Sequence, residues 1–442
     1  MGHPTFFFVT RWWAAVEPSE RILAEATRTV DEVEVYSIEG TTLSLSLKSG
    51  LIDSAITARI WGLGIRTVHK GRIGFSSTSD PERWRECLEA AITSGTVAAA
   101  QEWKGYPIPQ HLAARAPTAD PAVAPDAKTA LILIDGLLEG AAAYPGARVT
   151  GGEIDLFKGE VHLWNSQEVA YQSPRTRVSI SLETIQGDST GYEYDVSTFL
   201  EVDAVKVGKT AAFLAAHGAK GGSIESGVYD VVLSPIASAQ LIGHVVIPAL
   251  SGRNVHAGRS FLAGKVGTEC MSPEISLFDD PFARGLGSTD WDAEGTPARR
   301  IDFVQNGVLQ GFAYDLKNAY RFHEQSTASA VRSGFGGSPS IGVHNLILDG
   351  ERSDIFDDRV LYIHDIVGAH TANPLTGDFS VEISNAHWME GNVPQEPVRH
   401  AMYAGNVFEL LQSVVGMGRE SRVAGSLILP EIRFHSQQII GK

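Results

Sequence analysis

The sequence predicts an α+β fold, with a small N-terminal α/β domain followed by a larger, mainly antiparallel β domain carrying a few helices. Three observations carry that expectation. Segments such as Thr42-Leu43-Ser44-Leu45-Ser46-Leu47 alternate polar and apolar residues with period two, the pattern of half-buried strands. Turn signals such as Lys48-Ser49-Gly50 and Lys70-Gly71 separate neighbouring strands. A chain of 442 residues exceeds what one hydrophobic core usually organises, so two domains are expected, residues 1–125 and 126–442.

The elements follow in order. Pro18-Ser19-Glu20 opens a helix, with Ser19 as its cap and Ile22, Leu23 and Ala26 on its buried side. Strands are expected at residues 33–36, 42–47 and around 56–60. Residues 62–77 read as a twisted hairpin whose glycines mark bulges. A phosphate loop at Gly62-Leu63-Gly64 is the other reading, but no helix follows and no Lys-Ser/Thr closes the motif. Asp80-Pro81-Glu82 starts a helix reaching about Ala98. Residues 101–126, rich in proline and alanine, connect the two domains. A helix over 126–142 leads into antiparallel strands at 147–156, 160–164, 168–171, 175–184 and 191–199. An alanine-rich helix over 202–216, a strand over 227–233 and a helix carrying His244 come next. Beyond Ser276 the pattern is short strands and turns, with one further helix around 407–415.

Composition narrows the function. A formal net charge of −16 with no Lys/Arg cluster argues against a nucleic-acid partner. No 18-residue apolar stretch occurs, so no membrane span is expected. The aromatic start, residues 6–9 with Arg11, Trp12 and Trp13, lacks the features of an export signal, which makes the cytoplasm the expected location. Cys87 and Cys270 make no disulfide framework, and Cys87 reads as core.

The stretch from Leu241 to Glu269 invites a search for chemistry. His244 lies on an apolar run, where a zinc hydrolase would carry the first histidine of a helical ligand pair. Val245, Val246, Ile247, Pro248 and Ala249 follow, supplying neither a second ligand nor a general base. Ser260, in GRSFL, lacks the nucleophile elbow. Ser166, beside Asn165, makes a turn or lines a cleft. Asp279-Asp280, Asp290 and Asp292 suit acid/base work or, more simply, solvated and capping positions in turns. His364, His370, His387, His400 and His435 lack metal-ligand spacing. Two segments stand out for binding: Ser251-Gly252-Arg253-Asn254, which presents a cation and an amide, and Thr376-Gly377-Asp378-Phe379-Ser380.

Several blocks together resemble the TldD/PmbA family. They are GLGIRTVHKGRIGFSS (62–77), LWNSQEVAY (163–171), SFLAGKVGTE (260–269), DDP (279–281), STDWDAEGTPARR (288–300), TGDFS (376–380) and PVRHAMYAGNVFELL (397–411). The family comprises intracellular metalloproteases whose working enzyme pairs TldD with TldE (PmbA). The resemblance implies that His244 matches the first histidine of TldD's His-Glu-x-x-x-His helix, with Val245 in place of the glutamate and Ala249 in place of the second histidine. No cysteine stands at residues 421–426, where TldD carries a metal ligand. The pattern is that of the TldE/PmbA branch. It implies a chain without its own catalytic residues, metal or cofactor, paired with a TldD-like subunit that supplies zinc. The assembly would act on peptides or small unfolded proteins. By the same resemblance His244, Arg253, Asn254, Ser260, Asn165 and Asp378 are the residues expected to touch the cleft or the substrate. The alternatives are a homodimeric peptide- or ligand-binding regulator without protease activity and a divergent peptide-tailoring enzyme.

Overall fold

The computed structural model describes residues 18–112 and 116–441. The aromatic run at residues 6–9, Arg11, Trp12 and Trp13 lie outside the described residues. Two sheets organise the chain. The first contains β1 (Glu32–Lys48), β2 (Leu51–His69), β3 (Arg72–Thr78), β4 (Arg148–Asn165), β5 (Ala170–Gln186) and β6 (Ser189–Ser197). They lie in the order β3-β2-β1-β4-β5-β6, every neighbouring pair antiparallel.

Helices α1 (Pro18–Ala26) and α2 (Trp84–Val97) cover one end of this sheet, and α3 (Ala127–Ala141) and α4 (Ala204–Gly218) the other. The alternation of β1 explains why. Its odd-numbered residues face the helices, so Val33 and Val35 join Ile22, Ala26 and Leu88 in one core. Farther along the same face, Leu43, Leu45 and Leu47 join Leu133, Leu137 and Ala211 in a second. Aspartates start the helices as capping chemistry requires: Asp126 accepts the Thr129 amide at 2.8 Å, and Asp203 that of Lys206 at 2.9 Å. Ser19, in contrast, lies within α1 and is buried, so it does not cap the helix.

Pairs of short strands expected from the sequence fuse into single strands of 17, 18 and 17 residues, β1, β4 and β5. The alternation breaks at Gly40 and Gly159 without a turn, because the two are register partners covered by the Phe157 ring. Pro174 sits in β5 beyond the reach of β6, whose pairing starts at Val178, so its missing N–H breaks no ladder there. Gly62 and Gly64 are not bulges either. The pairing keeps register through them, and a Cβ on Gly62 would collide with the Phe335 ring.

The second sheet draws on β7 (Gly227–Leu233), β8 (Ile275–Asp279), β9 (Ile301–Gln305) and β10 (Val308–Leu309). After the small separate hairpin of β11 (Ala330–Val331) and β12 (Ser340–Ile341), it continues with β13 (Leu346–Gly350), β14 (Val360–Val367), β15 (Asp378–Glu390) and β16 (Val393–Val398). It ends with β17 (Met402–Asn406), β18 (Val414–Ala424) and β19 (Leu427–Ile440). Because β7 bonds to both β14 and β19, the strands β7, β14, β15, β17 and β19 form a closed circuit. Val231, Leu233, Leu361, Ile363, Tyr403, Ile432 and Phe434 share its core.

This half also carries α5 (Pro235–Leu241), α6 (Ile247–Leu250), α7 (Gly252–His256), α8 (Leu316–Phe322) and α9 (Val407–Gln412). The sequence reading passed over α8, although Asp315 caps it by accepting the Asn318 amide at 2.8 Å.

A division at residue 125 falls inside the first sheet, since β1 and β4 pair without a break from Glu34↔Asn165 to Lys48↔Gly151. The change of sheet comes between β6 and β7. A buried charge cluster ties the halves together. Arg66 donates to Glu34 Oε2 at 2.9 Å and to Glu294 Oε1 at 2.7 Å, while Arg332 pairs with the other oxygen of Glu34. Glu294 Oε2 also accepts the Leu316 amide at the start of α8, at 2.7 Å.

Cys87 and Cys270 are both buried and free, Cys87 in the core beneath α2. Among the described residues no helix is long and apolar enough to cross a membrane.

Candidate functional site

The arm that carries His244 begins at Ser234, whose hydroxyl accepts the amides of Ile236 and Ala237, both at 3.1 Å, and donates to the His364 carbonyl. Pro235 occupies the first turn of α5, where its missing N–H costs nothing. Residues 242–246 then form one π-helical turn, with the Ile247 amide bonded to the Ile242 carbonyl. Such widened turns are rare and concentrate at functional sites. In an α-helix, positions five apart diverge by about 140°. A π turn brings them closer to one face, which is what a ligand pair at i and i+5 needs.

Here the scaffold lacks the ligands. His244 is exposed, with Nδ1 2.8 Å from the Gln240 carbonyl. Val245 and Ala249 are both fully buried in the core of the second half. Gly243 faces Leu427 at the β18–β19 turn, so the two segments that the resemblance assigns to a metal site lie together. Their side chains do not fit zinc, which needs three or four converging N, O or S donors.

Among the described residues, one group of three ligand-type side chains converges elsewhere: Glu39 on β1 with Glu160 and His162 on β4. Glu160 there accepts Gln172 Nε2 at 2.6 Å and lies 3.5 Å from His162. Those contacts account for Glu160 as a local polar network.

Of the six residues expected at the cleft, four lie on this arm. Arg253 and Asn254 line a cavity of about 380 Å3 with Ser251, Asp315, Lys317 and Arg321, three cations against one carboxylate that caps α8. Arg253, Lys317 and Arg321 form no ion pair among the described residues, so this rim is cationic in an acidic chain. Ser260 is a tether, donating to the Ala249 carbonyl at 2.7 Å and accepting the Leu262 amide at 3.1 Å.

Of the other two, Asp378 borders the arm, since its partner Asn406 caps α9, whose Phe408 ring stacks on Phe261 at 4.3 Å, and Asn165 lies on the first sheet. Asn165 is buried at the β4–β5 turn, where it accepts the Gln167 and Val169 amides at 2.8 and 3.1 Å and donates to the Pro107 carbonyl at 2.9 Å. Asn165→Ala is expected to lower stability by about 1–3 kcal/mol, because it leaves buried backbone groups unpaired. Thermal unfolding of the variant checks this, and an unchanged midpoint would refute it. Asp378 is exposed, and the Thr376 hydroxyl and the Asn406 amide hold its carboxyl below the usual range.

One member of each acidic pair is buried and the other, Asp280 or Asp290, is partly exposed. Asp279 is buried and accepts the His344 and Asn345 amides at 2.9 and 2.7 Å, with His344 Nδ1 at 3.0 Å. Asp292 accepts the Glu294 and Thr296 amides, both at 2.9 Å. Both cap irregular backbone.

Sequence reasoning missed the larger cavity, about 760 Å3, which lies between β6 and α4 on one side and β14, β15, β18 and β19 on the other. At its base Glu193 accepts Arg422 Nη2 at 2.7 Å, with His364 Nε2 at 3.3 Å but out of hydrogen-bond alignment. Burial alone would raise the Glu193 carboxyl, yet His364 and Arg422 outweigh it and take it to about 2. Burial pushes the Tyr362 hydroxyl and the Glu431 carboxyl up. Burial, reinforced by His217 and His364, pushes His387 down to about 3.

The signal lay in the alternation of β14. Tyr362 and His364 share a face, and Tyr362 is the register partner of His387. His364 and His387 thus reach one cavity, but not as a converging ligand set.

Three models of PmbA/TldA metallopeptidase domains match the chain: domain 1 over residues 33–94, the central domain over 119–218 and the C-terminal domain over 226–441. The first two together make the six-stranded sheet, and the third the closed circuit. An uncharacterised protein of Methanocaldococcus jannaschii is 29% identical, covering 92% of this chain and 96% of its own. The metalloprotease PmbA of Escherichia coli O157:H7 is 25% identical, covering 96% and 98%. The crystal structure of TldE from Thermococcus kodakarensis superposes with a TM-score of 0.88 at 25% identity, covering 96% of this chain and all of that one. The chain belongs to the PmbA/TldD metallopeptidase family.

Proposed function

We propose that this chain is the metal-free, TldE-type subunit of a heteromeric zinc metallopeptidase. A TldD-type partner supplies the zinc and the general base, and the substrates are peptides or small unfolded proteins. One observation carries the reading: the helix has a π turn at His244, while the positions for the base and the second histidine are Val245 and Ala249, both sealed in the core. The cationic rim around Arg253 borders that helix and supports a surface there for peptide or partner. The likeness to TldE supports the same branch.

The experiment is to purify the chain alone and with a TldD-type protein bearing the His-Glu-x-x-x-His helix, then measure zinc and peptide cleavage. The chain alone is expected to hold no stoichiometric zinc and to cleave nothing. The complex is expected to hold about one zinc per partner chain and to lose cleavage when the partner's glutamate is replaced. Stoichiometric zinc with cleavage by this chain alone would sink the proposal. A stable homodimer that ignores the partner would favour the regulatory alternative.

A further inference from the structure

We infer that the cavity between β6, α4 and the β18–β19 hairpin binds an organic cation, an ammonium or guanidinium group on an apolar stem, with Glu431 as its counter-ion. The inference concerns the isolated chain and does not depend on the subunit role proposed above.

Size and charge both point this way. About 760 Å3 suits a small molecule or one long side chain. The lining carries six carboxylates against three cations, Lys206, Arg284 and Arg422. Two of those cations are already engaged, Arg422 by Glu193 at 2.7 Å and Arg284 by Glu201 at 2.9 Å. Asp195 and Asp203 are spent on backbone amides, which leaves Glu420 at the rim and Glu431 inside. Among the described residues Glu431 has no cation within ion-pair distance, and burial pushes its carboxyl up although Tyr362, His364 and Lys206 are near enough to act against that. A half-buried carboxylate without a counter-ion is costly, and a ligand that brings the missing charge recovers that cost.

The walls are suited to the same chemistry. Tyr194, Phe199, Phe213, Phe356 and Tyr362 line the space. Two of these rings already receive guanidinium groups of the chain itself, Arg284 at 4.0 Å from the Phe199 centroid and Arg422 at 5.1 Å from that of Tyr194. Aromatic faces attract cations by their quadrupole, and most strongly where water is excluded. Buried His364, whose Nε2 faces Glu193 at 3.3 Å without an aligned hydrogen bond, leaves a buried polar atom with hydrogen-bonding capacity on the lining. An anion would meet the surplus carboxylates, and a neutral apolar ligand would leave Glu431 uncompensated.

Calorimetric titration with N-acetyl-lysine methylamide, its norleucine counterpart and N-butylguanidine tests the inference. The lysine compound is expected to bind at least about tenfold tighter than norleucine, from which it differs only by the ammonium. Glu431→Gln is expected to erase that preference with the thermal midpoint retained. N-butylguanidine reports whether a free guanidinium on an apolar stem suffices, and the lysine compound whether a peptide side chain enters. Binding by either supports the site and tells the sources apart. Equal affinity for lysine and norleucine in the native protein, no binding of either cation, or a preference that survives Glu431→Gln would overturn it. The native-protein comparison decides the matter should the variant misfold.

Discussion

Arg66→Met is expected to cost about 3–5 kcal/mol of folding stability, the range for removing one partner of a buried ion pair. The side chain is 3% exposed and serves two carboxylates, one from each half of the molecule. Its removal leaves Glu294 buried with only the Leu316 amide as a partner. Burial already drives Glu294 up to about 8 despite the attraction of Arg66, so losing that cation favours the protonated acid still more. The second substitution is informative. Glu294→Gln added to Arg66→Met is expected to recover part of the loss, because the amide needs no counter-ion. Denaturant unfolding followed by tryptophan fluorescence measures both, and a loss under about 1 kcal/mol for Arg66→Met would show that the cluster is energetically idle.

Acid sensitivity at His387 is the second large effect. Its folded-state pKa of about 3 lies below the ordinary 6.5, first through burial and then through His217 and His364. A histidine with a depressed pKa stabilises the fold above 6.5, and that contribution drains away as pH falls from 6.5 toward 3. The slope is about 1.4 kcal/mol per pH unit, or about 3 kcal/mol by pH 4. Burial raises Asp292 to about 6 and Glu294 to about 8, and those groups act in the opposite sense, losing stability as pH rises. They are common to wild type and variant, so the difference isolates His387. His387→Gln is expected to be less stable or equal near pH 7.5 and to gain steadily on the wild type below pH 6.5. Parallel stability curves between pH 7 and 4 would exclude this account.

How much of this was legible beforehand depended on the range over which each signal acts. Helix starts at Asp80 and Asp126 and turns at Ser49-Gly50 and Lys70-Gly71 are local, and the structure has them where the residues put them. The long strands were misread because Gly40 and Gly159 imitate turns, and only their pairing across more than a hundred residues shows that one ring shelters both. The helix of His244 could be found through its apolar run, but the π turn within it could not. The alternation of β14 put Tyr362 and His364 on one face, but not the cavity they line, because β6 and β18 supply Glu193 and Arg422 from distant parts of the chain. Asn165 was noticed for its position beside a strand, but its work is holding the β4–β5 turn.

The closed circuit of the second sheet has a consequence for the order of synthesis. β19 follows every other strand of that sheet in the chain, yet β7, β13, β17 and β18 all bond to it. A ribosome adding about 5–20 residues per second leaves β7 waiting some tens of seconds for its antiparallel neighbour. The first sheet, complete at β6, is free to form well before then. The nascent chain therefore carries a finished platform beside an open-edged half-sheet, and translation of residues 427–440 is the step that closes the circuit and covers the free side of β7.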